Sequence, residues 1–192
     1  MSSYIEIFGK LGLDASKLEK DGYHYLDKLP PRSDGFFSDC YSHCFYSGLS
    51  DDEIKKLEDV IQKKLPTDLI ELYKACNGFS IFHSSLDIRG LLKENCRNPI
   101  TLEYGNIIDR PMKDGVFLDN SQEVRFGSYG PDHIELMMHI TGGKIKAVNR
   151  CETSENVFKT WPSLKELLNS EIDRMLQYEE DIDPLNPIPV NL

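Results

Sequence analysis

No stretch of this chain approaches the roughly 18 consecutive apolar residues that a membrane-spanning helix needs. Its opening, Met1-Ser2-Ser3-Tyr4-Ile5-Glu6, lacks the basic start and apolar core of a secretion signal. Basic residues are in deficit: 22 Lys and Arg stand against 32 Asp and Glu, a net charge of −10. That sign opposes nucleic-acid phosphates and anionic membranes and suits a cationic partner. It serves plain solubility equally well. Cysteines are few and odd in number, at Cys40, Cys44, Cys76, Cys96 and Cys151, with none of the spacing of a disulfide framework. These features point to a cytoplasmic chain with reduced thiols. Signatures of nucleotide binding and serine hydrolysis are missing as well. There is no G-x-x-x-x-G-K-[ST] loop, no G-x-G-x-x-G after a strand and no G-x-S-x-G elbow; Gly127-Ser128-Tyr129-Gly130 comes nearest and lacks the spacing.

What is present is enough apolar residue, 40% of the 192, to give a domain of this length a sizeable core. The sharpest local signal is Ser50-Asp51-Asp52-Glu53, a capping box in which Ser50 and Glu53 satisfy each other's amides. Behind it Ile54, Leu57, Val60 and Ile61 recur at helical spacing. Leu65-Pro66 interrupts that helix, with Pro66 placed for the first turn of the next. Leu69, Leu72, Tyr73 and Cys76 form the second stripe, and Asn77-Gly78 is expected to stop it in a left-handed cap. The period then changes to two. Short strands are expected around Phe79–Ile81, Leu86–Ile88, Val116–Leu118 and Val124–Phe126. In His133–Ile140, the residues Ile134, Leu136, Met138 and Ile140 point one way and His133, Glu135, Met137 and His139 the other. Gly142-Gly143 suits a hairpin turn into Lys144–Val148. Successive strands without intervening helices predict an antiparallel meander. A closing helix is expected from Trp161 to Tyr178, capped by Thr160. Near the start, Ile5, Phe8 and Leu11 fit a short helix, and Phe36, Phe37, Tyr41, Phe45 and Tyr46 form an aromatic segment that should pack on the domain. The Pro-containing acidic end, 179–192, reads as extended or disordered.

The order Gly48-Leu49-Ser50, acidic-capped helix, Leu65-Pro66-Thr67-Asp68-Leu69, Tyr73 and Asn77-Gly78 resembles the opening of the SUKH superfamily, which includes fungal cell-wall synthesis regulators and many bacterial immunity proteins. Phe126–Leu136 is similar to that family's glycine-flanked central strand, Gly143–Val148 to the strand after it, and Val157–Leu168, with Trp161, to its closing helix. The resemblance spans roughly residues 48–176. It departs from the family's pattern in a long N-terminal extension and in 89–115. It implies an α+β fold, a mostly antiparallel sheet with helices packed on one face. It divides the chain into an N-terminal extension packed on the domain (1–47), the SUKH-like domain (48–178) and an acidic tail (179–192). Leu65, Pro66, Tyr73, Asn77, Gly78 and Trp161 are structural positions in this reading. The bacterial branch neutralises toxins, commonly nucleases or deaminases; the fungal branch acts in signalling and cell-wall regulation.

Cys40-Tyr41-Ser42-His43-Cys44, with His24, Cys96 or Cys151, invites a zinc reading, but no second close cysteine pair answers the first; reduced cysteines in an aromatic packing segment are the competing reading. His133-Ile134-Glu135 matches half of a zinc-deaminase signature and lacks the downstream P-C-x-x-C, so an exposed polar strand face is expected there. Cys76 reads as inert core. The acids Asp51, Asp52 and Asp59 on the first SUKH-like helix, with Asp132 and Glu135 at the central strand, form either a solvated face or a docking surface. Tyr104, Tyr129, His133 and His139 are its expected anchors. The reading is therefore a protein without catalytic residues, metal or cofactor, that binds another protein. Its partner is expected to be a cationic toxin domain, with a regulatory or scaffolding partner as the alternative.

Overall fold

The computed structural model describes residues 3–14, 23–28, 41–91, 122–129, 134–149 and 157–178. Alternation and turn chemistry in these segments yield strands β1 (Tyr23–Lys28), β2 (Tyr41–Ser47), β3 (Cys76–Ile81), β4 (Leu86–Ile88), β5 (Glu123–Tyr129), β6 (Ile134–His139), β7 (Ile145–Asn149) and β8 (Val157–Trp161). They form one sheet in chain order, every neighbouring pair antiparallel. From β3 onward this matches the expected meander, whereas a helical pair separates β2 from β3 in the chain. Helices α1 (Ser3–Gly9), α2 (Asp51–Ile61), α3 (Thr67–Ala75) and α4 (Leu164–Leu176) complete an α+β fold.

Register decides which side chains meet the helices. Phe45, Phe79, Ile88, Gly127, Leu136 and Ala147 lie opposite one another across six strands. That row shares one face, because side chains alternate along each strand. Its apolar side chains belong to a single cluster with Tyr4 and Phe8 of α1, Ile54 and Leu57 of α2, Leu69 and Leu72 of α3 and Leu164, Leu168 and Ile172 of α4. Phe8 meets Phe45 with a tilted ring and Phe79 edge-on, both at 5.1 Å between centroids. The α1 helix and β2 therefore belong to the same core as the later elements. Phe36, Phe37, Val116–Leu118 and 179–192 lie outside the described residues.

The capping box forms as expected. The Ser50 hydroxyl accepts from the Glu53 amide, and the Ser50 amide donates to Glu53 Oε2 at 2.8 Å. Glu58 then builds the turn into α3: its carboxylate accepts from the Leu65 amide at 2.9 Å and from Lys64 Nζ at 2.6 Å. Burial works against this charge, but the Lys64 ammonium and the Leu65 amide outweigh it and hold the carboxyl below its ordinary pKa. Leu65 is buried, and Pro66 stands one place before the helix, as its cap, rather than in the first turn.

Two expected helix ends move. The α3 helix stops at Ala75 and Cys76 is already extended, so Asn77 and Gly78 lie in β3 instead of capping a helix. The reason is close strand packing. Gly78 adopts φ +86, and a Cβ there would sit 2.5 Å from the Ile88 carbonyl oxygen. The Asn77 side chain meanwhile exchanges two hydrogen bonds with the Leu91 backbone, at 2.8 and 2.7 Å. At the other end, Thr160 and Trp161 complete β8, where Trp161 pairs with Ile145. The cap of α4 is Ser163, whose hydroxyl accepts from the Glu166 amide. Trp161 still reaches the helix, donating from its indole to Ser170 at 3.1 Å.

The β3–β4 connection is strained. Phe82, His83 and Ser84 are consecutive, left-handed (φ +50, +54 and +63) and none is glycine, at roughly 1–2 kcal/mol each.

Tyr73 on α3 is fully buried and donates its hydroxyl to the Arg89 carbonyl at 2.7 Å. Tyr73→Phe leaves that carbonyl without its donor and is expected to lower unfolding free energy by about 1–3 kcal/mol, read from the urea midpoint. Glu58 stabilises the fold above the ordinary carboxylate pKa and loses that contribution as pH falls through its depressed value. Thermal midpoints from pH 7 to pH 3 should therefore fall less steeply in Glu58→Gln than in the wild type.

Candidate protein-binding surface

The face turned away from the helices carries the opposite alternation. Cys44, Ser80, Asp87, Ser128, Glu135 and Val148 lie in register across it. This face is polar yet largely closed, with Glu135 2% and Met137 5% exposed. The expected exposed polar face of β6 is thus absent. The reason is Arg89, which follows β4. Its guanidinium meets both Glu135 oxygens, at 3.0 and 3.3 Å, and the Ser128 hydroxyl at 3.1 Å. A second charged pair, Lys146 to Glu123 at 2.5 Å, closes the neighbouring part of the same face.

On the helix side, Glu171 of α4 is fully buried and gathers Lys159 at 2.9 Å and two Arg174 nitrogens at 3.0 and 2.8 Å. Tyr129 belongs to this interior as well. Burial and the Glu171 carboxylate raise its hydroxyl pKa far above the ordinary phenol range. Tyr129 and Glu135, both expected at a docking surface, are thus interior side chains: alternation turned Tyr129 into the core, and Arg89 neutralises Glu135.

The remaining expected positions divide simply. Asp51, Asp52 and Asp59 stand exposed on α2. Asp51 meets Lys74 at 2.6 Å, and that hydrogen-bonded ammonium holds its carboxyl below the ordinary value. Asp52 faces Lys55 at 3.4 Å. His139, at the end of β6, is half-buried and shares a 2.8 Å hydrogen bond with Thr141. Tyr104, Asp132 and His133 lie outside the described residues. Among the positions that are described, α2 presents three acids at its surface and His139 stands at the end of the interior strand β6.

Thiol chemistry is subdued. Burial pushes Cys44 up to about 11 and raises Cys76 further still, so both stay protonated at neutral pH, whereas the thiolate is the nucleophile. Among the described residues no group of three or more His, Cys, Asp and Glu side chains could hold a metal ion; Cys40, Cys96 and Cys151 lie outside them. No helix among the described residues is long and apolar enough to cross a membrane.

Sequence reasoning passed over Arg89, Lys159, Glu171 and Arg174. Arg89 and Glu135 are 46 residues apart, beyond the reach of any local pattern. Glu171 did leave a trace, because it falls at helical spacing within the apolar stripe of Leu164, Leu167, Leu168 and Ile172.

An antiparallel sheet covered on one face by a helical pair and a closing helix, with the buried carboxylates Glu58, Glu123, Glu135 and Glu171 tied to cations, defines a class of α+β domains whose interior charge is structural. Within that class the chain belongs to the SMI1 / KNR4 family (SUKH-1), whose model matches residues 48–170. No curated protein matches it.

The Arg89–Glu135 pair gives a direct check. Glu135→Ala strands the guanidinium and should cost about 3–5 kcal/mol, whereas the double change Arg89→Met, Glu135→Leu should recover most of that loss. Urea unfolding of the three variants beside the wild type measures both.

Proposed function

We propose that this chain is a non-catalytic protein-binding domain, an immunity protein that neutralises a nuclease- or deaminase-type toxin by stoichiometric binding in the cytoplasm. Membership of the SMI1 / KNR4 (SUKH-1) family over residues 48–170 is the observation that carries this reading; it supports an immunity-like or regulator-like domain. The commitment of Glu58, Glu135 and Glu171 to internal contacts is consistent with a fold that recognises rather than transforms. A nuclease or nucleic-acid deaminase must present a cationic groove to phosphates, and a chain of net charge −10 is attracted to such a groove. Asp51, Asp52 and Asp59, with the other acids of the chain, steer the encounter. Tyr104, Asp132, His133 and His139 are the proposed contacts that then hold it. Docking over the cleft excludes substrate. A cell-wall-regulator-like scaffold is the alternative that the same family match supports.

Co-expression with the product of the adjacent gene tests the immunity reading: protection of the host and a 1:1 complex on gel filtration are expected. Continued killing without a complex overturns it. Given a complex, Asp51→Lys, Asp52→Lys, Asp59→Lys together should slow association by roughly tenfold at low salt and by less at high salt. The thermal midpoint should move little, because exposed pairs contribute at most about 1 kcal/mol.

A further inference from the structure

Consecutive left-handed residues without glycine persist only where their surroundings over-determine them. For Phe82-His83-Ser84 the surroundings are specific. The Phe82 amide donates to His43 Nδ1 at 3.2 Å, and the His83 amide to the Ser42 carbonyl at 3.1 Å. The Ser85 hydroxyl donates to the Phe82 carbonyl at 2.5 Å, and the Ser80 and Ser84 hydroxyls share a bond of 3.1 Å. Of these clamps only the imidazole titrates near neutral pH. The His43 residue is 1% exposed and its ring meets the Phe82 ring edge-on at 4.7 Å.

A ring nitrogen that accepts an amide hydrogen bears no proton, so in this arrangement His43 is neutral, with its hydrogen on Nε2. We propose that His43 is a pH-sensitive latch on the β3–β4 turn, closed by the Phe82 amide on Nδ1 and released when Nδ1 is protonated. Protonation would set one N–H against another in a buried site, and the strained turn would lose the bond that holds its first residue.

The neighbouring elements supply these titratable groups. On β1 the register sets Leu26 opposite His43, with His24 and Lys28 two places to either side. On β3 the partner is Ile81, and beyond it Leu86 of β4. His83 follows in the turn, and Cys44 and Asp87 belong to the other face. The α1 helix packs through Phe8 on Phe45, two places along β2 from His43; it bears Glu6, and Lys10 beyond its end pairs with Asp173.

Because the closed turn favours neutral imidazole, the latch contributes fully above the ordinary histidine pKa of about 6.5. That contribution is lost as pH falls below it. The opening constant rises about tenfold per pH unit in that range.

Amide exchange and imidazole nitrogen shifts, measured by NMR on the full chain from pH 7.5 to pH 5, test the latch. The Phe82 protection factor should fall about tenfold per unit below pH 6.5, while His43 shows the Nε2-protonated tautomer as long as the turn is closed. In His43→Asn, whose side-chain oxygen can take the same amide hydrogen without titrating, protection should be flat with pH. His83→Asn should keep the wild-type slope. Protection in the wild type that ignores pH overturns the proposal, as does a His43 that protonates while the Phe82 amide stays protected, or a slope abolished by His83→Asn. If His43→Asn does not fold, the wild-type exchange and ring titration decide the matter alone.

Discussion

Arg89 is the residue on which the layers converge. Its carbonyl takes the Tyr73 hydroxyl from α3, its amide donates to Phe126 of β5 at 2.8 Å, and its guanidinium closes on Glu135 of β6. One residue thus ties a helix to the sheet and sets three strands against one another. A slip of one residue in β4 would send the guanidinium to the helix side and bring an apolar neighbour out, because side chains alternate. Asn77 and Gly78 serve the same junction, the first through paired bonds to Leu91 and the second by leaving room for the Ile88 carbonyl.

The interior chemistry of the chain is spent on that architecture. A buried ion pair is weak evidence of stability, since desolvation cancels much of its attraction, and its clearer effect is on removal of one partner. Glu135 and Glu171 are of this kind. Their loss would be severe, yet their presence argues for a specified register rather than for a reaction. The acids proposed to meet a partner, such as Asp51 and Asp52, form local ion pairs that contribute little to folding. In that proposal recognition and stability draw on different residues.

The helical pair was legible because its signals are local. A capping box needs four residues, an amphipathic stripe about ten, and both Ser50–Glu53 and Ile54–Ile61 formed where they were expected. The meander was legible because runs of period two followed one another without a crossover. The inward alternation of Ile134, Leu136 and Met138 held as well. The two misplaced helix ends share one cause. Asn77-Gly78 carries the local chemistry of a helix cap, and Trp161 opens an apolar stripe, but both were claimed by neighbouring strands. Pairing energy from β4 and β7 outweighed a local preference worth about 1 kcal/mol.

By itself, then, the sequence determined the helical pair, strands β3 to β7 with their antiparallel order, and the family, because each depends on spacing within a short window; β1, β2 and β8 carried no such signal. The tertiary structure alone decided which polar residues are interior. Nothing near Glu135 announces Arg89, nothing near Tyr129 announces Glu171, and His43 meets the Phe82 amide only after β2 and β3 pair. Such contacts join positions tens of residues apart, and a side chain's exposure depends on what the rest of the chain places over it.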